Sequence, residues 1–153
     1  MPTAERRAEV LWEGNLMQGH GEIVSTGSGA LGRLPVTWEA RAGQSGGKTS
    51  PEELIAAAHA ACFAMALSNG LNQGGHAPER LHVAATCTFE VGEGGARIAS
   101  VALDLEGKVP GMDEAAFRQA AEGAKENCPV SKALKGNVEV SLEARLEGAA
   151  ARR

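Results

Sequence analysis

The segment Ser50-Pro-Glu-Glu-Leu-Ile-Ala-Ala-Ala-His-Ala-Ala-Cys-Phe-Ala-Met-Ala-Leu67 decides the fold. It opens with a strong helix-start signal: Ser50 is placed to cap the helix and Pro51 takes the first helical position. Glu53 stands three residues after the cap and completes the pattern of a capping box. We expect a long helix that runs to about Leu71, where glycines follow.

This helix lacks a polar side. From Leu54 to Leu67 only His59 and Cys62 interrupt a run of Ala, Leu, Ile, Phe and Met. A helix that is apolar all round is buried all round, so we expect a sheet on one side and a second subunit on the other. Its fourteen-residue apolar stretch spans roughly 20 Å. That is short of the roughly 30 Å hydrocarbon layer, which argues against a membrane span.

Alternating apolar and polar residues predict strands on both sides of this helix. A second helix begins at Asp113, and a short helical turn follows Pro129. The predicted strands are residues 7–14, 17–26, 34–41, 81–91, 97–107 and 137–146. The order βββαββαβ predicts an α+β fold with a mainly antiparallel sheet, in one domain that covers residues 1–153.

Composition narrows the class of protein. The 153 residues are 43% apolar and 22% charged, with 3% aromatic residues and no Tyr. A core of such small side chains favours oligomerisation. The net charge of −4 and the lack of a basic cluster exclude nucleic-acid and anionic-membrane partners. No signal-like apolar run follows the first residues, so we expect a cytoplasmic protein, in which a disulfide would be transient and catalytic.

Two of the three cysteines point to thiol redox chemistry. Cys62 lies in the apolar helix, and Cys128 lies in Glu126-Asn-Cys-Pro-Val-Ser-Lys-Ala-Leu134. A thiol among apolar side chains is inert packing material unless a neighbouring charge stabilises the thiolate. Arg41 and Glu52 are the candidates for that environment.

Glu52 and Cys62 fall on one stripe of the helix, but about 15 Å of helix separates them. If two copies pack antiparallel about a two-fold axis, Glu52 of one chain comes close to Cys62 of the other. We therefore expect a composite site at a homodimer interface. Cys87 occupies the apolar face of a predicted strand and His59 an apolar helix, so both are expected in the core.

Four stretches resemble one known family. Thr49–Leu67 and Asn127–Leu134, together with Trp12-Glu-Gly14 and Ser25–Leu31, are similar to the OsmC/Ohr peroxidase family and closest to its OsmC branch. The resemblance covers nearly the whole chain. It implies an intertwined homodimer that reduces organic hydroperoxides with two cysteines and without a metal or prosthetic group.

The resemblance also implies roles for particular residues. By motif position, Cys62 matches the peroxidatic cysteine, Cys128 the resolving cysteine, Arg41 the activating arginine and Glu52 its carboxylate partner. Arg41 would favour the Cys62 thiolate, which attacks the peroxide and becomes a sulfenic acid. Cys128 would then condense with it to an intrasubunit disulfide, and an external dithiol would restore both thiols.

An apolar pocket around Cys62, with Phe63 and Met65 close by in sequence, would favour organic hydroperoxides over hydrogen peroxide. Two other classes of protein use the same residues. A zinc-binding module would take Cys62, His59 and Cys128 as ligands. A non-catalytic redox sensor or hydrophobic ligand carrier would use the thiols without rapid turnover.

Overall fold

The computed structural model describes residues 3–148, which form two compact units that meet in sequence between Leu54 and Ile55. In chain order the elements are β1 (Ala8–Glu13), β2 (His20–Thr26), β3 (Gly32–Val36), α1 (Trp38–Ala42), α2 (Pro51–Gln73), β4 (Arg80–Gly92), β5 (Gly95–Lys108), α3 (Glu114–Asn127), α4 (Pro129–Leu134) and β6 (Glu139–Leu146). The α+β class is confirmed. The predicted single sheet is replaced by two three-stranded sheets, one in each unit.

The first unit is built on an antiparallel meander in the order β1-β2-β3. Trp12 of β1 stands opposite Gly21 of β2. A Cβ atom at Gly21 would lie 2.6 Å from the indole carbon Cε3, so this position needs glycine to admit the ring. The small residue thus places a tryptophan on the face of the sheet.

The prediction of a strand over residues 34–41 is wrong in its second half. Strand β3 ends at Val36, and helix α1 follows. The hydroxyl of Thr37 accepts a hydrogen bond from the Ala40 amide at 3.1 Å, which caps this helix. Ala and Arg are strong helix formers, and they override the apolar alternation of the segment. Arg41 is therefore carried by a helix.

Helix α2 starts where the sequence predicts. The Ser50 hydroxyl accepts a hydrogen bond from the Glu53 amide at 3.1 Å, and the Glu53 carboxylate accepts one from the Thr49 hydroxyl at 2.9 Å. The helix has 23 residues and is about 35 Å long. Its length therefore gives no argument against a membrane span. Of the described helices it alone is long and apolar enough to cross a bilayer, a property it shares with core helices of soluble proteins.

Burial of α2 is one-sided within the single chain. His59, Phe63, Leu67 and Leu71 have almost no exposed surface and form one stripe at four-residue spacing. Met65, on another side, is 72% exposed. In the most apolar 18-residue window of the helix, 28% of the positions are buried. The expectation of burial all round is thus not met by one copy, which leaves an apolar face of α2 uncovered.

The second unit is a sheet in the order β4-β5-β6. Strands β4 and β5 form the predicted antiparallel hairpin, in which Gly92 stands opposite Gly95. The last strand, β6, pairs parallel to β5 after a crossover through α3 and α4. The core of this unit consists mainly of Phe63, Leu67, Leu71, Val101, Leu103, Leu105, Phe117 and Ala121.

Helix α3 brings the chain to the second cysteine. The Asp113 carboxylate accepts a hydrogen bond from the Ala116 amide at 2.8 Å and caps the helix. Phe117 is fully buried, and Gly107 of β5 is close to it: a Cβ atom there would lie 2.4 Å from the ring carbon Cζ. Helix α3 ends at Cys128, after which α4 begins at a proline.

Candidate active site: an ion pair and a thiol pair

In the first unit, the predicted arginine and glutamate form a bidentate ion pair. Arg41 Nη2 lies 2.8 Å from Glu52 Oε1, and Arg41 Nε lies 3.0 Å and 3.2 Å from Glu52 Oε1 and Oε2. Glu52 is 6% exposed, whereas the Arg41 side chain is 32% exposed. Bidentate pairing of this kind fixes the plane of the guanidinium. The carboxylate therefore holds an arginine whose side chain is still partly exposed to solvent.

A mainly apolar cavity of about 380 Å³ lies against this arginine in the first unit. Besides Arg41, its lining consists of Trp12, Leu16, Val36, Thr37, Trp38 and Pro51. Trp38 was not among the site residues predicted from the sequence. Its sequence signal is that an aromatic residue directly follows a helix-capping Thr and stands three positions before Arg41. This spacing places Trp38 and Arg41 on one side of a helix.

The second unit brings the two predicted cysteines together. Cys62 lies on α2 and is half-buried, and Cys128 lies between α3 and α4 and is fully buried. Although 66 residues separate them in the sequence, their thiols are hydrogen-bonded to each other. Both are reduced. Close approach of two thiols is the precondition for a disulfide between them.

The two thiols differ in acidity. Burial raises the pKa of Cys62, and its contact with Cys128 raises it further against the effect of the Val130 backbone. Burial also opposes ionisation of Cys128. Hydrogen bonds from the Ser131 backbone, the Cys62 thiol, the Ser131 hydroxyl and the Val130 backbone nevertheless lower the pKa of Cys128 below its usual value.

A buried polar pair lies beside the cysteines. His59 Nε2 is 2.7 Å from the hydroxyl oxygen of Ser131, and neither residue has more than 7% of its surface exposed. The other ring nitrogen of His59, Nδ1, has no hydrogen-bond partner among the described residues. His59 lies in the core, as predicted, whereas Ser131 was not predicted as its partner. Its only signal is a hydroxyl three residues after Cys128 at a helix start.

Other predicted features fare differently. Phe63 is a core residue with no exposed surface, so the prediction that it lines a substrate pocket is wrong. Cys87 is half-buried against the core, as predicted. Within residues 3–148 no three His, Cys, Asp or Glu side chains are grouped so that they could hold a metal ion. The zinc alternative for Cys62, His59 and Cys128 therefore has no support from these residues.

Residues 43–143, which include Cys62 and Cys128, match the model of the protein family described as OsmC-like protein. The chain belongs to the OsmC-like family. Peroxiredoxin OsmC of Escherichia coli K12 is 40% identical over 142 residues, covering 92% of this chain and 97% of the relative. The organic hydroperoxide resistance protein of Xanthomonas axonopodis pv. citri is 32% identical over 103 residues, covering 65% of this chain and 69% of the relative.

Solved structures of the OsmC-like family share the fold. The crystal structure of the organic hydroperoxide resistance protein OhrB of Bacillus subtilis aligns with a TM-score of 0.71 at 28% identity, covering 91% of this chain and 98% of OhrB. The α+β architecture and the family that the sequence predicts are thereby confirmed.

Proposed function

We propose that this OsmC-like protein is a peroxidase that reduces organic hydroperoxides to alcohols with two cysteines. The observation that carries the proposal is the hydrogen-bonded pair of reduced thiols, Cys62 and Cys128, in a chain whose relatives are named peroxiredoxin and organic hydroperoxide resistance protein. We assign the peroxidatic role to Cys62, because it is the more accessible thiol. The resolving role falls to the buried Cys128.

The proposed reaction has three steps. The Cys62 thiolate attacks the terminal peroxide oxygen, the O–O bond breaks, and the alkoxide leaves and takes up a proton to become the alcohol. Cys62 is now a sulfenic acid. The sulfur of Cys128 attacks the sulfur of Cys62, and a disulfide forms as hydroxide leaves and becomes water. An external dithiol then reduces the disulfide by exchange.

The first step needs a cation, because burial within the second unit raises the pKa of Cys62. We assign this role to Arg41, whose guanidinium is always protonated and is held by Glu52. The arginine would favour the thiolate and stabilise the charge that develops on the peroxide oxygens. The proposal allows the arginine to come from the same chain or from a partner copy.

The proposed preference for organic substrates rests on the cavity beside Arg41. Its lining is mainly apolar, and a volume of about 380 Å³ suits a short aryl or alkyl group. Such a cavity offers an apolar tail the burial that hydrogen peroxide lacks. We therefore expect organic hydroperoxides to be better substrates than hydrogen peroxide.

We further propose that the working protein is an intertwined homodimer. The uncovered face of α2 and exposed apolar residues of the first unit, which include Leu11 and Met17, are surfaces that a second copy would bury. The proposal involves no metal or prosthetic group, no nucleic acid and no membrane, and it places the protein in the cytoplasm.

A turnover assay with excess dithiol tests this function. We expect wild type to reduce cumene hydroperoxide faster than hydrogen peroxide, and Cys62→Ser to be inactive. Cys128→Ser should react once and then recover slowly. Arg41→Ala should lower kcat/KM about 100-fold, the cost typical of losing one charge-stabilising group.

Cys87→Ser is the matched control, because this cysteine lies outside the thiol pair, and it should retain wild-type turnover. Activity that survives Cys62→Ser would contradict the assignment. Disulfide formation without repeated turnover would favour the redox-sensor alternative.

A further inference from the structure

The buried pair His59 and Ser131 connects to the thiol site through Cys128. Ser131 lies three residues after Cys128, on α4, and its hydroxyl interacts with the Cys128 sulfur by a hydrogen bond. His59 lies on α2, one turn before Cys62, and reaches the Ser131 oxygen at 2.7 Å. A continuous polar chain therefore runs from His59 through Ser131 to Cys128, all within the second unit.

The unpartnered nitrogen of His59 indicates in which direction the hydrogen bonds of this polar chain are donated. A neutral imidazole carries one N–H. If the hydrogen were on Nδ1, a buried donor would lack an acceptor, which is rare in folded proteins. On Nε2 the hydrogen is donated to Ser131, whose own hydroxyl hydrogen is then left to be donated to Cys128. Burial lowers the pKa of His59, which keeps the ring neutral at physiological pH.

We propose that His59 and Ser131 are positioning residues that hold Cys128 as a thiolate, by donation from Nε2 to the Ser131 oxygen and from the Ser131 hydroxyl to the Cys128 sulfur. The proposal rests on the function proposed above and extends it to the second and third steps. A hydrogen bond donated to the charged form of a group stabilises that form.

The same thiolate serves both steps. In resolution, Cys128 attacks the sulfur of the Cys62 sulfenic acid: the S–S bond forms, the S–O bond breaks, and hydroxide leaves as water after protonation. In reduction, the external thiolate attacks the half-buried Cys62, because Cys128 is fully buried. The S–S bond breaks and Cys128 leaves with the electron pair. A leaving thiol of low pKa leaves faster.

Other charged groups lie near this chain. Lys125, Glu126, Lys132 and Lys135 line the small cavity on whose wall Ser131 lies. The test therefore changes only the hydroxyl and the imidazole and leaves these four residues in place.

The first test titrates Cys128 by the ultraviolet absorbance of its thiolate in a Cys62→Ser, Cys87→Ser background, where it is the only thiol. Ser131→Ala should raise the titration midpoint by about one pH unit, the size expected for losing one hydrogen bond to a charge. Ser131→Thr keeps the hydroxyl and should stay near the parent value. An unchanged midpoint in Ser131→Ala, or an equal rise in Ser131→Thr, would overturn the proposal.

A matched pair tests His59. His59→Gln places an amide N–H near the position of Nε2, whereas His59→Asn places it near Nδ1 and cannot reach Ser131. We expect a raised Cys128 midpoint for Asn and a nearly parental one for Gln. Equal midpoints in the two variants would remove His59 from the proposal. This pair also serves if Ser131→Ala does not fold.

A single-turnover experiment, with all three cysteines present, separates this inference from the function itself. After one equivalent of cumene hydroperoxide, Ser131→Ala should accumulate Cys62 sulfenic acid, trapped with dimedone, because peroxide is still consumed while the disulfide forms slowly. Peroxide consumption lost in wild type would refute the peroxidase. Consumption retained with equally fast disulfide formation in Ser131→Ala would refute the role of the pair alone.

Discussion

His59 has no exposed surface, and burial lowers its pKa below the ordinary value of histidine. The folded protein therefore binds this proton less readily than the unfolded chain does. Stability contributed by the neutral ring is fully present above the unfolded pKa of about 6.5 and is lost as the pH falls through the folded value. We expect the free energy of unfolding to decline as the pH falls below about 6.5.

Urea unfolding at a series of pH values measures this decline. His59→Gln carries no titrating ring and should flatten the curve over that range, whatever its absolute stability. His82→Gln, at an exposed position, is the matched control and should keep the wild-type slope. A His59→Gln curve as steep as that of wild type would show that other groups cause the decline.

The resemblance pointed to Arg41, Glu52, Cys62 and Cys128, and the structure joins them in two pairs. Their catalytic roles stay predictions. The contact between His59 and Ser131 could not be predicted from the sequence, because 72 residues separate the two partners. It depends on how α4 packs near α2, and no local periodicity carries that information.

At the scale of elements, replacing either of two glycines by alanine should change the stability of the protein, but in opposite directions. Gly107 of β5 faces the buried ring of Phe117, and an added Cβ would lie 2.4 Å from it. Because the ring is rigid and fully buried, Gly107→Ala should destabilise the protein by about 1–3 kcal/mol. Gly123 is exposed on α3 with open space around it. Gly123→Ala should stabilise by about 0.5–1 kcal/mol through helix propensity.

Thermal and urea unfolding of both variants test the contrast. Both variants make the same substitution, so a general effect of replacing glycine would move both in the same direction. Tolerance of Gly107→Ala would contradict its close contact with Phe117, and destabilisation by Gly123→Ala would contradict the open space around Gly123.

Elements with local signals could be predicted from the sequence. The caps at Ser50 and Asp113 and the β4–β5 hairpin are set by residues within a few positions of each other. Helix α1 was missed because apolar alternation continued through a segment that Thr37 caps as a helix. The parallel pairing of β6 was missed because strand direction depends on the crossover through two helices.

At the scale of the whole molecule, the prediction concerns how two chains share an active site. If each active site combines Cys62 of one chain with Glu52 of the other, a mixed dimer of Cys62→Ser and Glu52→Ala chains holds one intact site and one doubly altered site. It should show about half of wild-type turnover, although each homodimer is inactive. Co-expression with two different affinity tags yields the mixed species, and sedimentation velocity establishes its size.

A mixed dimer as inactive as its parents would place Glu52 and Cys62 of the same chain in one site. The matched control mixes Cys62→Ser with Cys128→Ser chains. Because the structure pairs these two thiols within one chain, that mixture should fail to form the disulfide under any arrangement of Glu52.

Oxidation should change the stability of the protein. A Cys62–Cys128 disulfide closes a loop of 66 residues, and the chain-entropy model gives about 4 kcal/mol for a loop of this size. We expect the oxidised protein to unfold at a higher urea concentration than the reduced one. The difference should vanish in Cys128→Ser, and a persistent difference would trace to another oxidation product.

The parallel strand β6 has a consequence for synthesis of the protein. It is the last of the strands in residues 3–148, yet it covers the edge of β5, which carries Val101, Leu103 and Leu105 in the core. Until β6 has left the ribosome, that edge can pair with a strand of another nascent chain. Slow translation between residues 108 and 139 would therefore lengthen the period of aggregation risk, and a holdase chaperone that shields β5 would raise the yield of active protein.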